Sequence, residues 1–189
     1  LQDFAGVKAG DRVTLHMPMM PELPIAMLAC ARLGAIHSQV FGGFSGSACG
    51  DRIVDSESNI LITMDSYWRA GKLLEHKSKA DEAVEKAAQS GVKVDKVLIW
   101  NRYPEKESNV DLVDGRDYLV YDLLKKYRGE RIKPVAMASE SPLFIMYTSG
   151  TTAKPKGIQH STGGYLSYVA GTSKYYQDIQ PEDVYWCFA

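Results

Sequence analysis

Short apolar runs alternate with longer amphipathic stretches along the first hundred residues, and glycine punctuates most of the junctions. A strand-length run at residues 13–16 follows the Lys8-Ala9-Gly10-Asp11 turn. A helical stretch opens at Pro21-Glu22, carries apolar residues to Leu33 and stops at Gly34. A second strand, residues 36–41, closes at Gly42-Gly43. Ser45 is placed to cap a helix running to Ser56, with Ile53 and Val54 toward the core, and residues 59–63 read as a third strand. Residues 79–90, rich in Ala, Glu and Lys, form a surface helix that ends before Gly91, and residues 97–100 are the next strand. Strands separated by helices pair in parallel, because the helix carries the chain back to the same edge. The expected fold is therefore α/β, with strands and helices alternating around largely parallel sheets.

Beyond residue 100 the pattern loosens. Residues 101–115 are polar, contain Pro104 and Gly115, and read as a loop or a junction between subdomains. Residues 118–127 suit a short helix, residues 142–148 an apolar strand, residues 161–175 a helix and residues 184–188 a further strand. A chain of 189 residues with 45% hydrophobic and 24% charged residues has enough apolar surface for a sizeable core, which excludes intrinsic disorder. The net charge of −1 argues against non-specific nucleic-acid binding. The longest apolar stretch, residues 25–31, ends at Arg32, far short of a membrane span, so no membrane partner is expected. Cys30, Cys49 and Cys187 are far apart and show no ligand spacing, which fits a reduced, cytoplasmic compartment with thiols buried as small hydrophobes. The first residues, Leu-Gln-Asp, read as a chain cut from something longer.

The segment with most chemistry is Tyr147-Thr148-Ser149-Gly150-Thr151-Thr152-Ala153-Lys154-Pro155-Lys156-Gly157, directly after the 142–148 strand. Within eleven positions it holds four Ser or Thr hydroxyls, two glycines and two lysines. Gripping a polyphosphate takes inward-pointing amides, hydroxyl donors, little side-chain bulk and positive charge. A structural turn would use the glycines but has no need of the hydroxyls and ammonium groups. The P-loop pattern G-x-x-x-x-G-K-[ST] does not fit: started at Gly150, it puts Pro155 at the second glycine and Gly157 at the Mg²⁺-binding hydroxyl.

This loop resembles the phosphate-binding signature of the adenylate-forming superfamily, T-S-G-[ST]-T-G-x-P-K-G. The rest of the chain resembles its AMP-forming acetyl-CoA synthetase branch through Gly10-Asp11-Arg12-Val13, Leu33-Gly34-Ala35-Ile36-His37-Ser38, Val40-Phe41-Gly42-Gly43-Phe44-Ser45, Asp51-Arg52-Ile53, Arg69-Ala70-Gly71-Lys72, Gly115-Arg116-Asp117 and Gly163-Gly164-Tyr165-Leu166. The likeness extends over nearly all of residues 1–189, which it identifies as part of an N-terminal AMP-binding domain. It implies a two-step reaction. Acetate attacks the α-phosphorus of Mg·ATP to give acetyl-adenylate and pyrophosphate; the coenzyme A thiol then displaces AMP. Thr148, Ser149, Gly150, Thr151, Thr152, Lys154, Lys156 and Gly157 would clamp the pyrophosphate and stabilise its growing charge, without acting as acid or base. Gly43 and the stretch Arg69, Ala70, Gly71 and Lys72 would contact the nucleotide end of coenzyme A. By spacing alone Arg69 and Lys72 read as solvated surface charges; the resemblance reverses that. The Mg²⁺ ligand, the adenine- and ribose-binding segments, the acyl pocket and a late catalytic lysine are implied to lie outside these residues. The chain alone is accordingly expected to be inactive.

Five positions depart from the family pattern. Ala153 stands where the signature has glycine, and at a left-handed position its methyl costs on the order of 1 kcal/mol. Lys72 replaces arginine and loses the planar fork. Gln39 replaces valine, and Leu119-Val120 stands where acetyl-CoA synthetases often carry Trp-Trp. Two other readings stay open: a different acyl or amino-acid activator of the same superfamily, such as a propionyl-CoA synthetase or a peptide-synthetase adenylation domain, and a non-catalytic nucleotide-binding module. His16, His37, His76 and His160 have no spacing for a shared metal, and no metal site is expected. His16 and His37 read as core histidines, His160 either orients the loop or packs at a helix start, and Tyr165, Tyr168, Tyr175 and Tyr176 read as core packing. The oligomeric state is not legible.

Overall fold

A computed structural model describes residues 1–103, 110–148 and 155–186. Its principal element is a seven-stranded sheet in the order β7-β6-β3-β1-β2-β8-β9. These strands are β1 (Arg12–Met17), β2 (Ile36–Phe41), β3 (Ile60–Met64), β6 (Lys96–Trp100), β7 (Asp117–Leu119), β8 (Pro142–Thr148) and β9 (Lys156–Ser161). All neighbours are parallel except β8 and β9, which pair antiparallel with Thr148 opposite Lys156. A two-stranded hairpin, β4 (Ser66–Arg69) and β5 (Lys72–Glu75), stands at the carboxyl end of β3.

The sheet's two faces follow from side-chain alternation along its strands. On one face Val13, Leu15 and Met17 of β1, Ile60, Ile62 and Met64 of β3 and Leu98 and Trp100 of β6 pack against Leu23, Ala26, Cys30 and Leu33 of α2 (Glu22–Leu33). On the other, Val40, Leu61, Val97 and Ile99 meet Cys49 and Ile53 of α3 (Gly46–Ser56) and Ala80, Ala83 and Ala87 of α4 (Lys77–Gln89). Helices on both faces leave the parallel strands with few solvated positions, as such sheets require. The Ser45 hydroxyl accepts from the Ala48 amide at 3.1 Å and caps α3, as its residue type demands.

Most elements fall where the sequence places them, and the exceptions have physical causes. The 79–90 helix starts two residues earlier, at Lys77, and one of its faces is core because alanines at 80, 83 and 87 let it approach α3 closely. The helix expected at 118–127 is preceded by β7, so α5 is shortened to Val120–Lys126. β7 forms because buried Asp117 is held by Lys77 at 2.9 Å and by Arg116. The hairpin was not expected either; Ala70 and Gly71, at φ 48° and 73°, make its two-residue turn. Residues 184–186 form no strand: Val184 and Trp186 are exposed and lack a ladder partner among the described residues. α6 (Thr162–Tyr175) buries no residue, so Tyr165, Tyr168, Tyr175 and Tyr176 are exposed rather than core. β6 and β7 pair directly, so residues 101–115 join two neighbours of one sheet.

Candidate functional site

Parallel strands end together, and the loops that leave their carboxyl ends share one edge of the sheet, where α/β proteins bind ligands. Gly42-Gly43 after β2, the β4–β5 hairpin after β3 and the carboxyl end of β8 at Thr148 lie on that edge. The first two meet. A Cβ on Gly43 would lie 3.1 Å from a guanidinium nitrogen of Arg69 and would also strike the Phe41 ring, so glycine is what admits the arginine. Arg69 stands opposite Lys72 in the hairpin register, with Ala70-Gly71 as the tip between them. The same guanidinium lies 5.9 Å from the centre of the Phe41 ring. Gly43 and the Arg69–Lys72 end of the hairpin thus form one exposed cationic corner.

The Gly42 end of this corner is supported from beneath. Lys79 of α4 donates to the Gly42 carbonyl at 3.3 Å, and the Tyr67 hydroxyl stands 3.5 Å from the same oxygen. Tyr67 meets His76 edge-on, and His76 lies 4.4 Å from His16, centroid to centroid. A His76 ring nitrogen is 3.1 Å from the His16 carbonyl, which also accepts from Thr63. Burial, together with each other's charge and that of Lys79, pushes His16 down to about 3. Burial pushes His76 down to about 4. Both are neutral at physiological pH. His16 and His37 are buried as the sequence implies; His76 is an equally buried residue that its position before a helix did not betray.

Of the phosphate-loop residues, Ser149, Gly150, Thr151, Thr152 and Lys154 lie outside the described residues, as does Ala153. Thr148, Lys156 and Gly157 form the stem. Thr148 and Lys156 face each other across β8 and β9, both exposed, and Gly157 pairs with Tyr147. The Tyr147 hydroxyl donates to Asp55 of α3 at 2.7 Å, and burial followed by that carboxylate raises its pKa. His160 stacks on Phe144 at 4.5 Å, and Phe144 stacks in turn on His37 at 5.4 Å. His160 of β9 thus belongs to an aromatic stack, with the Tyr165 ring of α6 edge-on at 6.2 Å. Among the described residues no group of three or more His, Cys, Asp or Glu side chains gathers to hold a metal. No described helix is long and apolar enough to cross a membrane.

A parallel sheet with a glycine turn and a cationic hairpin along the carboxyl edge of its strands has the layout of an α/β ligand-binding fold. The chain belongs to the family described as AMP-binding enzyme, which matches residues 1–189. More particularly, it is 50% identical over 184 residues to the acetyl-coenzyme A synthetase of Rhizobium rhizogenes, covering 97% of this chain and 28% of that protein. It is 48% identical to the Salmonella typhimurium acetyl-coenzyme A synthetase, covering 97% of this chain and 27% of that one. The chain thus spans little more than a quarter of the length of these relatives. Its backbone is similar to that of the acetoacetyl-CoA synthetase of Streptomyces lividans, with a TM-score of 0.80 and 25% identity, covering 96% of this chain and 26% of that one.

Proposed function

We propose that this chain serves an acetate–CoA ligase reaction: acetate and ATP give acetyl-adenylate and pyrophosphate, and coenzyme A then takes the acetyl group and releases AMP. The observation that carries the reading is the contact between Gly43 and Arg69, two residues far apart in sequence that meet at one edge of the sheet. There the guanidinium receives a coenzyme A phosphate as a two-pronged donor, and the absent Gly43 side chain leaves room for that guanidinium and the Phe41 ring. Lys72 adds charge without a second fork.

The phosphate loop works from the β8–β9 stem. Leaving pyrophosphate gathers negative charge as the bond to the α-phosphorus breaks. Hydroxyls of Thr148, Ser149, Thr151 and Thr152, amides about Gly150 and Gly157, and the ammonium groups of Lys154 and Lys156 stabilise that charge by position alone. Mg²⁺ enters with ATP, and none of its ligands is assigned to this chain. Residues 1–189 are read as part of an N-terminal AMP-binding domain in a cytoplasmic enzyme with acetate, ATP and coenzyme A as its small-molecule partners. Two-fold higher identity to acetyl- than to the acetoacetyl-CoA synthetase supports acetate as the acyl substrate.

Acetate-dependent exchange of pyrophosphate into ATP tests the reading in two arms. The 189-residue chain alone is expected to show no exchange yet to bind pyrophosphate and coenzyme A by calorimetry. Robust exchange by the chain alone overturns its inactivity, and failure to bind either ligand overturns the assignment of both sites.

A further inference from the structure

The turn between β2 and α3 runs from Phe41 to Phe44 and is closed by the Phe44 amide, which donates to the Phe41 carbonyl at 2.9 Å. Gly42 and Gly43 are its central residues, and neither takes a positive φ. Turns of this length come in two forms that differ by a flip of the central peptide, and the flipped form needs a positive φ at the second central residue. Glycine meets that need without steric cost, so the Gly42-Gly43 sequence leaves both orientations open. Tertiary contacts decide between them. The Gly42 carbonyl accepts from the Lys79 ammonium at 3.3 Å and from the Tyr67 hydroxyl at 3.5 Å. Lys79 is half-buried and has no carboxylate partner among the described residues, so this carbonyl is the acceptor its ammonium meets. Gly42 itself is seated against the end of β1, where a Cβ would lie 2.6 Å from the Pro18 nitrogen. The Gly42–Gly43 peptide is trans, so its carbonyl and its amide point in opposite directions. With the carbonyl turned to Lys79 and Tyr67, the Gly43 amide points away from them. Gly43 is exposed, and its amide has no hydrogen-bond partner among the described residues.

We propose that Lys79 and Tyr67 are positioning residues that lock the Gly42–Gly43 peptide, so that the Gly43 amide is presented as a phosphate donor beside Arg69. This rests on the assignment of the corner to coenzyme A under the proposed function. The amide and the guanidinium serve one place, since a Cβ on Gly43 would lie 3.1 Å from an Arg69 nitrogen. An anion held there takes a fixed backbone donor together with a forked, charged one. In the flipped peptide the carbonyl oxygen replaces that amide and repels a phosphate, while the Lys79 ammonium loses its acceptor. Affinity then falls with the fraction of molecules that keep the donor orientation. Lys79 belongs to α4 and Tyr67 to β4, the strand that ends in Arg69. The lock therefore ties the turn after β2 to the hairpin that carries the guanidinium.

The test is calorimetric titration of coenzyme A into the 189-residue chain, with the Gly43 amide followed by NMR, for wild type, Tyr67→Phe, Lys79→Arg and the double variant Lys79→Met/Tyr67→Phe. In wild type the Gly43 amide proton is expected to move downfield when coenzyme A binds. The double variant is expected to shift the Gly43 resonance before any ligand is added. It is also expected to bind coenzyme A about fivefold more weakly, as when the donor orientation falls to about a fifth of the molecules. Lys79→Arg keeps a charged donor and is expected to stay within about twofold of wild type. Tyr67→Phe removes a donor without changing charge, and should move the free Gly43 resonance the same way by less. Repeating the titrations in about 1 M salt, where the screening length is about 3 Å, separates the lock from a distant charge. The lock predicts that the fivefold ratio persists there. A ratio that falls to one in salt, with the Gly43 resonance unmoved in the free variants, would mean that Lys79 acts only through its charge, which overturns the lock while the corner stands. Wild-type affinity in the double variant does the same. A wild-type chain that does not bind coenzyme A overturns the lock and the assignment of the corner together.

Discussion

The layer built from β1, β2, β3 and β6 with α2, α3 and α4 and the edge unit built from β8, β9 and α6 are held by different means. The layer carries two apolar clusters, one on each sheet face, and most of the residues of its strands are buried. The edge unit buries Phe144 and no residue of α6. Its place depends on the ladder to β2, the His37–Phe144–His160 stack and the contacts of Tyr147 with Arg52 and Asp55. Apolar burial is non-directional and collective, whereas a few specific contacts can be rearranged by a ligand. The β8–β9 stem is hung on the second kind of support, and the layer is held by the first.

The comparison breaks most visibly at the ion cluster beneath β7. Lys77 and Asp117 are 2.9 Å apart, with side chains 5% and 0% exposed, and Arg116 joins them. Burial pulls the Asp117 carboxyl upward, but hydrogen bonds from Arg116, the Val113 amide and Lys77 outweigh it and leave its pKa lowered. Asp117→Ala leaves buried Lys77 with Asp81 alone, 2.7 Å away, and is expected to cost about 3 kcal/mol in urea unfolding, the low end for breaking a buried pair. Apolar truncation is of similar size. Leu61→Ala, in the fully buried second cluster, is expected to cost about 2–5 kcal/mol, while Leu166→Ala on α6, where the leucine is 57% exposed, is expected to change stability by under about 0.5 kcal/mol. Equal losses at the two sites would erase the distinction between layer and edge unit.

Acid sharpens the same contrast. His16, His37 and His76 have folded-state values of about 3, 4 and 4 against an ordinary 6.5, so unfolded chains bind protons that the folded layer refuses. Their contribution is complete above pH 6.5 and is lost as pH falls from there toward 4, at about 1.4 kcal/mol per pH unit for each histidine fully protonated only in the unfolded state. Asp117 adds a loss at still lower pH, below its ordinary value of 3.8. Urea midpoints at pH 7.5, 6 and 5 are expected to fall with increasing steepness; a flat profile would mean the rings are protonated in the fold. The smallest effect is expected at the cationic corner. Arg69→Ala is exposed and neutral for stability, but should weaken coenzyme A binding about tenfold, the loss of one charged phosphate contact. Unchanged affinity would mark Arg69 as the solvated charge its spacing alone describes.

How much of this was readable beforehand follows the same divide. β1, α2, β2, α3 and β3 were legible because each has an apolar period matched to its conformation and a stop or cap residue at its end, such as Gly34 for α2 and Ser45 for α3. The β4–β5 hairpin was not, because Ala70-Gly71 is a weak turn signal and Ala70 takes a left-handed φ that its sequence does not advertise. β7 was hidden because its anchor is a charge, Asp117, buried by partners distant in sequence. The aromatic spacing of α6 imitates a core face, yet Tyr168 and Tyr175 are exposed, since periodicity records what a helix can bury and not whether a neighbour is there to bury it. Of the site, the hydroxyl-lysine loop was evident as chemistry and the cationic stretch only through the family resemblance, but the meeting of Gly43 with Arg69 and the packing of Arg52 between Phe44 and Tyr147 are tertiary facts. Neither has a sequence spacing that predicts it.

Hydrogen exchange on the chain, with and without Mg·ATP, tests the central claim most directly: that the Tyr147–Gly157 segment grips the nucleotide's phosphates while the layer beneath stays unchanged. The account predicts that amides of residues 145–158 gain protection on adding nucleotide, with those of β1 and β3 already slow and unaltered. Protection that appears elsewhere while residues 145–158 exchange as before would contradict it.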